Sequence, residues 1–220
     1  GIDNHQHGLL TATDFDPQKK VDACPANSVA RVGAASMTSD TATSTINTMV
    51  AKKVGMTSTL AVYEPFVPNR PVKDTRTLEA MSPEVRDAYL RIRAQIDTAK
   101  NWAFTPGALK NAMAFEHAFV KAGGLLAAGV DPTGFGGALP GFGDQRNYEL
   151  LVEAGFTPAQ TVQIMSANGG KILGRGIKEV ITVNGVRVAL DDGSWVLVRT
   201  SSNKPEIVVV VESSRSEDDM

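Results

Sequence analysis

The chain has 220 residues, with 22 Lys+Arg against 24 Asp+Glu and a formal net charge of -2. That length suits one domain or one and a half, and 42% hydrophobic with 21% charged residues is globular rather than disordered. Near-balanced charge argues against a nucleic-acid partner, no apolar run approaches about 18 residues, and a single cysteine, Cys24, excludes an internal disulfide and a cysteine zinc cage. A start at Gly1, with no initiator Met and no basic-then-apolar leader, suggests a processed product or a fragment and leaves the compartment open.

The opening run Ile2–His7 reads as a strand. Residues two apart on a strand share a face, so His5 and His7 would point the same way and could share a metal. The alternative is a terminal strand with two solvated histidines. A helix follows over 41–53, with Ile46, Met49 and Val50 on one face. Residues 55–62 read as a second strand.

Ser82-Pro83, Thr105-Pro106 and Thr157-Pro158 each put a hydroxyl at the N-cap and Pro at the first helical position. They predict helices over 83–100, 106–122 and 158–168, the last with a capping box from Thr157 to Gln160. His117 falls mid-helix, where it reads as a helix residue rather than a ligand. Gly124–Val130 reads as a strand ending in Asp131, and a shorter helix fits 145–154 with Asp144 as its cap. A carboxylate at a strand end can hold a metal or take a proton from bound water. Equally, Asp131 could only start the turn before Pro132. The Gly-rich stretch 134–143 lacks the Gly-Lys-Ser/Thr ending of a phosphate-binding P-loop and reads as a mobile lid.

Strands alternating with helices predict an α/β unit with a parallel sheet over 1–175. Beyond it the pattern changes. Residues 179–183, 186–190, 194–199 and 206–212 read as short strands, with turn signals at Asn184-Gly185 and Asp192-Gly193. Residues 176–220 are therefore expected to form a small antiparallel β meander with a frayed polar tail.

Residues 1–174 resemble the C-terminal part of a metal-dependent amidohydrolase, of the imidazolonepropionase-like and dipeptidase branch. The text that carries this is Asp3-Asn4-His5-Gln6-His7-Gly8-Leu9, the run from Ala122 to Pro132, and Gly155-Phe156-Thr157-Pro158-Ala159 with Met165–Gly169 and Ile172–Gly174. The resemblance implies part of a β/α (TIM-type) barrel and a divalent metal, zinc above all. His7 would end strand six, and Asp131 would end strand eight and handle the proton of the metal-bound water. His5 has no clear counterpart in that pattern and stands as a candidate ligand only through the strand face it would share with His7. The resemblance implies hydrolysis of amide or peptide C–N bonds. Strands one to five of such a barrel have no counterpart here. The fragment would then look to another chain to complete its ligands, since a catalytic zinc takes three protein ligands plus water.

Residues 177–220 are similar to the C-terminal domain of bacterial phosphomannomutases and phosphoglucomutases. The likeness runs from Glu179 through Arg199-Thr200-Ser201-Ser202-Asn203-Lys204-Pro205-Glu206 to Glu212. In that family an Arg-x-Ser-x-Thr/Asn-x-Pro loop grips the phosphate of a sugar, which implies phosphate-binding roles for Arg199, Ser201, Asn203 and Lys204. An Arg fork gives bidentate phosphate bonds, and Lys adds a point charge. The phosphoserine and metal-binding domains of such mutases are not represented, so phosphoryl transfer is not expected. Three functions stand side by side: a metal-dependent hydrolase, a sugar-phosphate or other anion-binding module, and a chimeric chain kept for its fold alone.

Overall fold

The computed structural model describes residues 2–23, 25–70, 75–131, 138–139, 141–172, 176–181, 186–200 and 207–214. The chain divides into two compact units, Gly1–Gly155 and Phe156–Met220. The join expected after residue 175 falls inside the second of these.

The first unit is built on a three-stranded parallel sheet in the order β1-β2-β3: β1 (Asn4–Gln6), β2 (Gly55–Ser58) and β3 (Leu126–Ala128). His5 pairs with Met56, and Met56 in turn with Leu126. Met56 and Leu126 are fully buried on the side covered by α6 (Pro106–Lys121), whose Phe115 and Phe119 are also fully buried. Helices α1 (Ser28–Gly33) and α2 (Asp40–Ala51) lie between β1 and β2 in sequence. Then α3 (Leu60–Tyr63), α4 (Thr75–Glu79), α5 (Pro83–Thr98) and α6 lead to β3, and α7 (Phe142–Glu153) follows it. Gly33 of α1 is packed against α6, where an added Cβ would lie 2.6 Å from the Ala108 side chain.

The caps formed as the sequence requires. Ser82 and Thr105 accept from the backbone N–H groups of Val85 and Ala108, with Pro next in line. Ser39 caps α2 by accepting from Ala42. Asp144 does not cap α7. It sits one turn inside, and its carboxylate accepts from the Gly141 backbone N–H at 3.0 Å, so the helix starts earlier than expected. The run 55–62 is not one strand. Thr59 turns at φ -139, ψ 39, and Leu60 begins α3.

Among the described strands the parallel sheet has three members and does not close. The barrel expectation is thus met only as a mixed α/β unit with helix-covered parallel strands. No helix of the described residues is long and apolar enough to cross a membrane.

In the second unit, α8 (Pro158–Met165) carries the expected Thr157–Gln160 capping box. It breaks at Ser166 (φ -132, ψ -83), so the helix expected over 158–168 is two: α8 and α9 (Ala167–Ile172). At Gly170 an added Cβ would lie 3.3 Å from Leu190, which shows how closely α9 meets the sheet. That sheet is antiparallel in the order β4-β5-β6-β7: β4 (Ile177–Ile181), β5 (Val186–Leu190), β6 (Trp195–Thr200) and β7 (Ile207–Glu212). The Asp192-Gly193 turn is present, with Gly193 at φ 90 and the Asp192 carboxylate accepting from Ser194 N–H. The Asn184-Gly185 turn, Cys24, half of the Gly-rich stretch and the tail beyond Ser214 lie outside the described residues.

Candidate functional site

The C-terminal ends of the three parallel strands meet at one place. His7 N–H donates to the Thr57 carbonyl at 3.2 Å and Gly129 N–H to the Ser58 carbonyl at 2.9 Å, so both ladders run one residue past the strands. Beyond that His7 and Asp131 leave in left-handed backbone conformation, φ 68 and φ 47. Non-glycine residues there are uncommon, and such outliers gather at functional sites. The two side chains converge: His7 Nε2 lies 3.5 Å from Asp131 Oδ2. The pair is 28% and 37% exposed, so a ligand has access to it.

The other ring nitrogen of His7, Nδ1, lies 2.9 Å from the Thr59 hydroxyl, which fixes the ring's rotation. Tyr63 of α3 meets His7 edge-on, with ring centroids 6.0 Å apart. Burial, helped by the Asp131 and Glu116 charges, pushes the Tyr63 phenol above its ordinary range. It therefore stays protonated at neutral pH.

His5 does not join this pair. Its Nε2 is 2.9 Å from the Gly8 carbonyl and 3.3 Å from the Thr11 hydroxyl. The reason is backbone conformation: His7 has left the strand, so the two-residue period no longer aligns the rings. His117 is exposed on α6.

Two donors at this separation can seat one cation between them. Among the described residues no group of three His, Cys, Asp or Glu forms around a possible ion. The donor set is one short of a catalytic zinc site, and no chemical step is derived through a metal.

Sequence reading missed Glu116. It lies in full burial beneath the His7-Gly8 turn, and a Cβ added at Gly8 would sit 3.2 Å from its Oε1. Burial pushes its carboxyl up to about 8, with the nearby Ser58 hydroxyl offsetting a little. Among the described residues Glu116 Oε2 has no hydrogen-bond partner. A signal was available: Ala112, Phe115, Glu116 and Phe119 share one helical stripe, and an acid in an apolar stripe needs a reason.

In the second unit Arg199 sits near the end of β6, opposite Val208 of β7. Trp195, Leu197 and Arg199 are two apart along the strand and so share one face. Trp195 stacks under the Arg187 guanidinium at 4.8 Å and donates from Nε1 to Glu212 at 2.9 Å, locking three strands together. Ser201, Asn203 and Lys204 belong to the β6–β7 connection and lie outside the described residues.

No family model matches the chain, and no solved structure does. Short similarities to curated proteins do exist. Phosphopentomutase of Thermococcus kodakarensis is 44% identical over 55 residues, 25% of this chain and 12% of that protein. A probable phosphoglucosamine mutase of Methanothermobacter thermautotrophicus is 49% identical over 39 residues, 18% of this chain and 9% of that protein. Another from Methanosphaera stadtmanae is 42% identical over 41 residues, 19% of this chain and 9% of that protein. A segment of this chain is phosphomutase-like. The chain spans only 9% to 12% of the length of these relatives. They support the mutase-like segment and do not show the amidohydrolase resemblance.

Proposed function

We propose that the second unit is an anion-binding module of phosphohexomutase type, holding the phosphate of a sugar phosphate through Arg199, Ser201, Asn203 and Lys204. The observation that carries this reading is the 44% identity to a phosphopentomutase over 55 residues. The placement of Arg199 near the end of β6, just before the connection that carries the other three residues in sequence, agrees with it. Arg forks bind phosphate oxygens in pairs, and ionic contacts of this kind weaken with salt. Titration with ribose 5-phosphate and glucosamine 6-phosphate should show saturable binding that falls at least about tenfold in Arg199→Ala, a loss of about 1.4 kcal/mol. Equal binding by the variant and the parent chain removes the reading.

A second reading rests on the convergence of His7 and Asp131 at the parallel strand ends. In open α/β sheets ligands bind outside the carboxyl ends of the strands. Here the first unit is a metal-dependent C–N hydrolase fragment of the barrel type. His7 and Asp131 supply two ligands of a divalent metal, zinc above all, and another chain or copy supplies the rest. His5 enters only if its bond to Gly8 opens. Bound zinc would supply a Lewis acid and an ionised water. Asp131 would orient that water and take its proton, and Thr59 would keep His7 turned inward. Zinc content after dialysis decides this reading. It expects uptake that His7→Ala or Asp131→Asn abolishes, and an unchanged zinc content in both variants sinks it.

A further inference from the structure

The row of rings beginning at Tyr63 has no part in either reading. Tyr63 stacks on Phe104 with centroids 5.9 Å apart and planes at 23°. Phe104 stacks in turn on Phe66 at 5.2 Å and 29°. Trp102 donates from its indole N–H to the Phe66 carbonyl at 2.6 Å, which ties the segment after α5 to the one after α3. All four rings are half-buried rather than sealed in the core. The row starts at His7, which Tyr63 meets at 6.0 Å. Its near end therefore faces an imidazole, a carboxylate and the Thr59 hydroxyl, while its length is apolar and flat.

We propose that Tyr63, Phe104 and Phe66 form a subsite beside His7 and Asp131 that takes the aryl group of a small arylalkyl amine or amide, with the ligand's N–H directed at the Asp131 carboxylate. The rings stack on one another and stay half-exposed, so an incoming ring can meet the row along its open side, and aromatic pairs of that kind add to simple burial. Small-molecule sites characteristically combine an apolar wall with few fixed polar groups. The polar end here carries a carboxylate acceptor, so charge complementarity selects a donor or cation over an acid.

The inference deepens the second reading of the first unit by naming a ligand class, and it needs no metal. Three probes test it in the intact chain, followed by NMR titration: 2-phenylethylamine, n-propylamine and 3-phenylpropanoate. 2-Phenylethylamine should bind at least tenfold tighter than either of the others and shift the resonances of Tyr63 and Phe104. Phe104→Ala should abolish the preference for the aryl probe. Phe104→Leu, which keeps apolar volume at a half-buried position, should weaken that preference without changing the circular dichroism spectrum. Asp131→Asn should abolish the preference for amine over acid. Equal binding of the three probes, a preference for the acid, or selectivity intact in both Phe104 variants overturns the proposal. Zinc uptake with no aryl selectivity defeats the subsite alone, whereas aryl selectivity with no zinc uptake defeats only the hydrolase reading.

Discussion

Glu64→Ala should destabilise the first unit by about 3 kcal/mol, among the largest losses a single surface-distant substitution can cause. Glu64 lies at the end of α3 and is 7% exposed. Its Oε1 accepts from Arg70 Nε at 2.8 Å and from Arg146 Nη2 at 2.7 Å, and Oε2 accepts from Arg146 Nε at 2.6 Å. Arg70 continues to Glu153 through two bonds of 2.9 Å, and Arg146 is also paired with Glu149. Burial pulls the Arg146 guanidinium down, but the Glu64 bonds and charge outweigh it and hold the group above its ordinary value. Removing Glu64 takes out the buried carboxylate that both guanidiniums share and leaves them beside each other with only the more exposed Glu153 and Glu149. The cost is that of leaving buried charge under-compensated, which exceeds what the cluster contributes over an apolar replacement. In a thermal melt followed by circular dichroism the midpoint should fall by roughly 6–12 °C. A drop under about 1 °C would mean that water already screens the cluster.

Glu116→Gln should act in the opposite direction and only in part of the pH range. The folded carboxyl titrates at about 8 against an ordinary 4.5. Between those values the folded chain holds a proton that the unfolded chain has lost. Stability from this group is therefore highest at acid pH, falls as pH rises from about 4.5, and levels off above about 8. Gln keeps the shape and stays neutral, so its curve lacks that slope. At pH 8 the variant should exceed the parent by a few kcal/mol, and near pH 4 the two should agree. Parallel curves for the two proteins would show that Glu116 is already ionised and paired in the fold.

Where chemistry is local, the sequence was sufficient. Ser82-Pro83 and Thr105-Pro106 each carry a capping hydroxyl and a ring that suits the first helical turn, and α5 and α6 begin there. The turn signals Asn184-Gly185 and Asp192-Gly193 found the meander strands around Val186–Leu190 and Trp195–Arg199, because turn residues that bound short apolar runs are a local mark. The meeting of His7 and Asp131 was suggested by the barrel resemblance, and parallel strands do bring their carboxyl ends to one edge. His5 failed that test because a period of two holds only while the chain stays extended. Helix α1 begins at Asn27 in left-handed conformation with no side-chain cap bond, so it left no mark to read. The Glu64 cluster was out of reach for another reason: Arg146 lies 82 residues away in sequence, and no local pattern encodes such a partner.

The chain has two tryptophans, and they fall one to each unit: Trp102 under the Phe66 carbonyl, Trp195 under Arg187 and beside Glu212. Indole emission depends on its surroundings, so Trp102→Phe and Trp195→Phe each leave a single intrinsic fluorophore. Denaturation of the two halves can then be followed separately in one intact polypeptide. Coincident transitions would mean that the two units unfold as one cooperative body, and separated transitions would give each its own free energy.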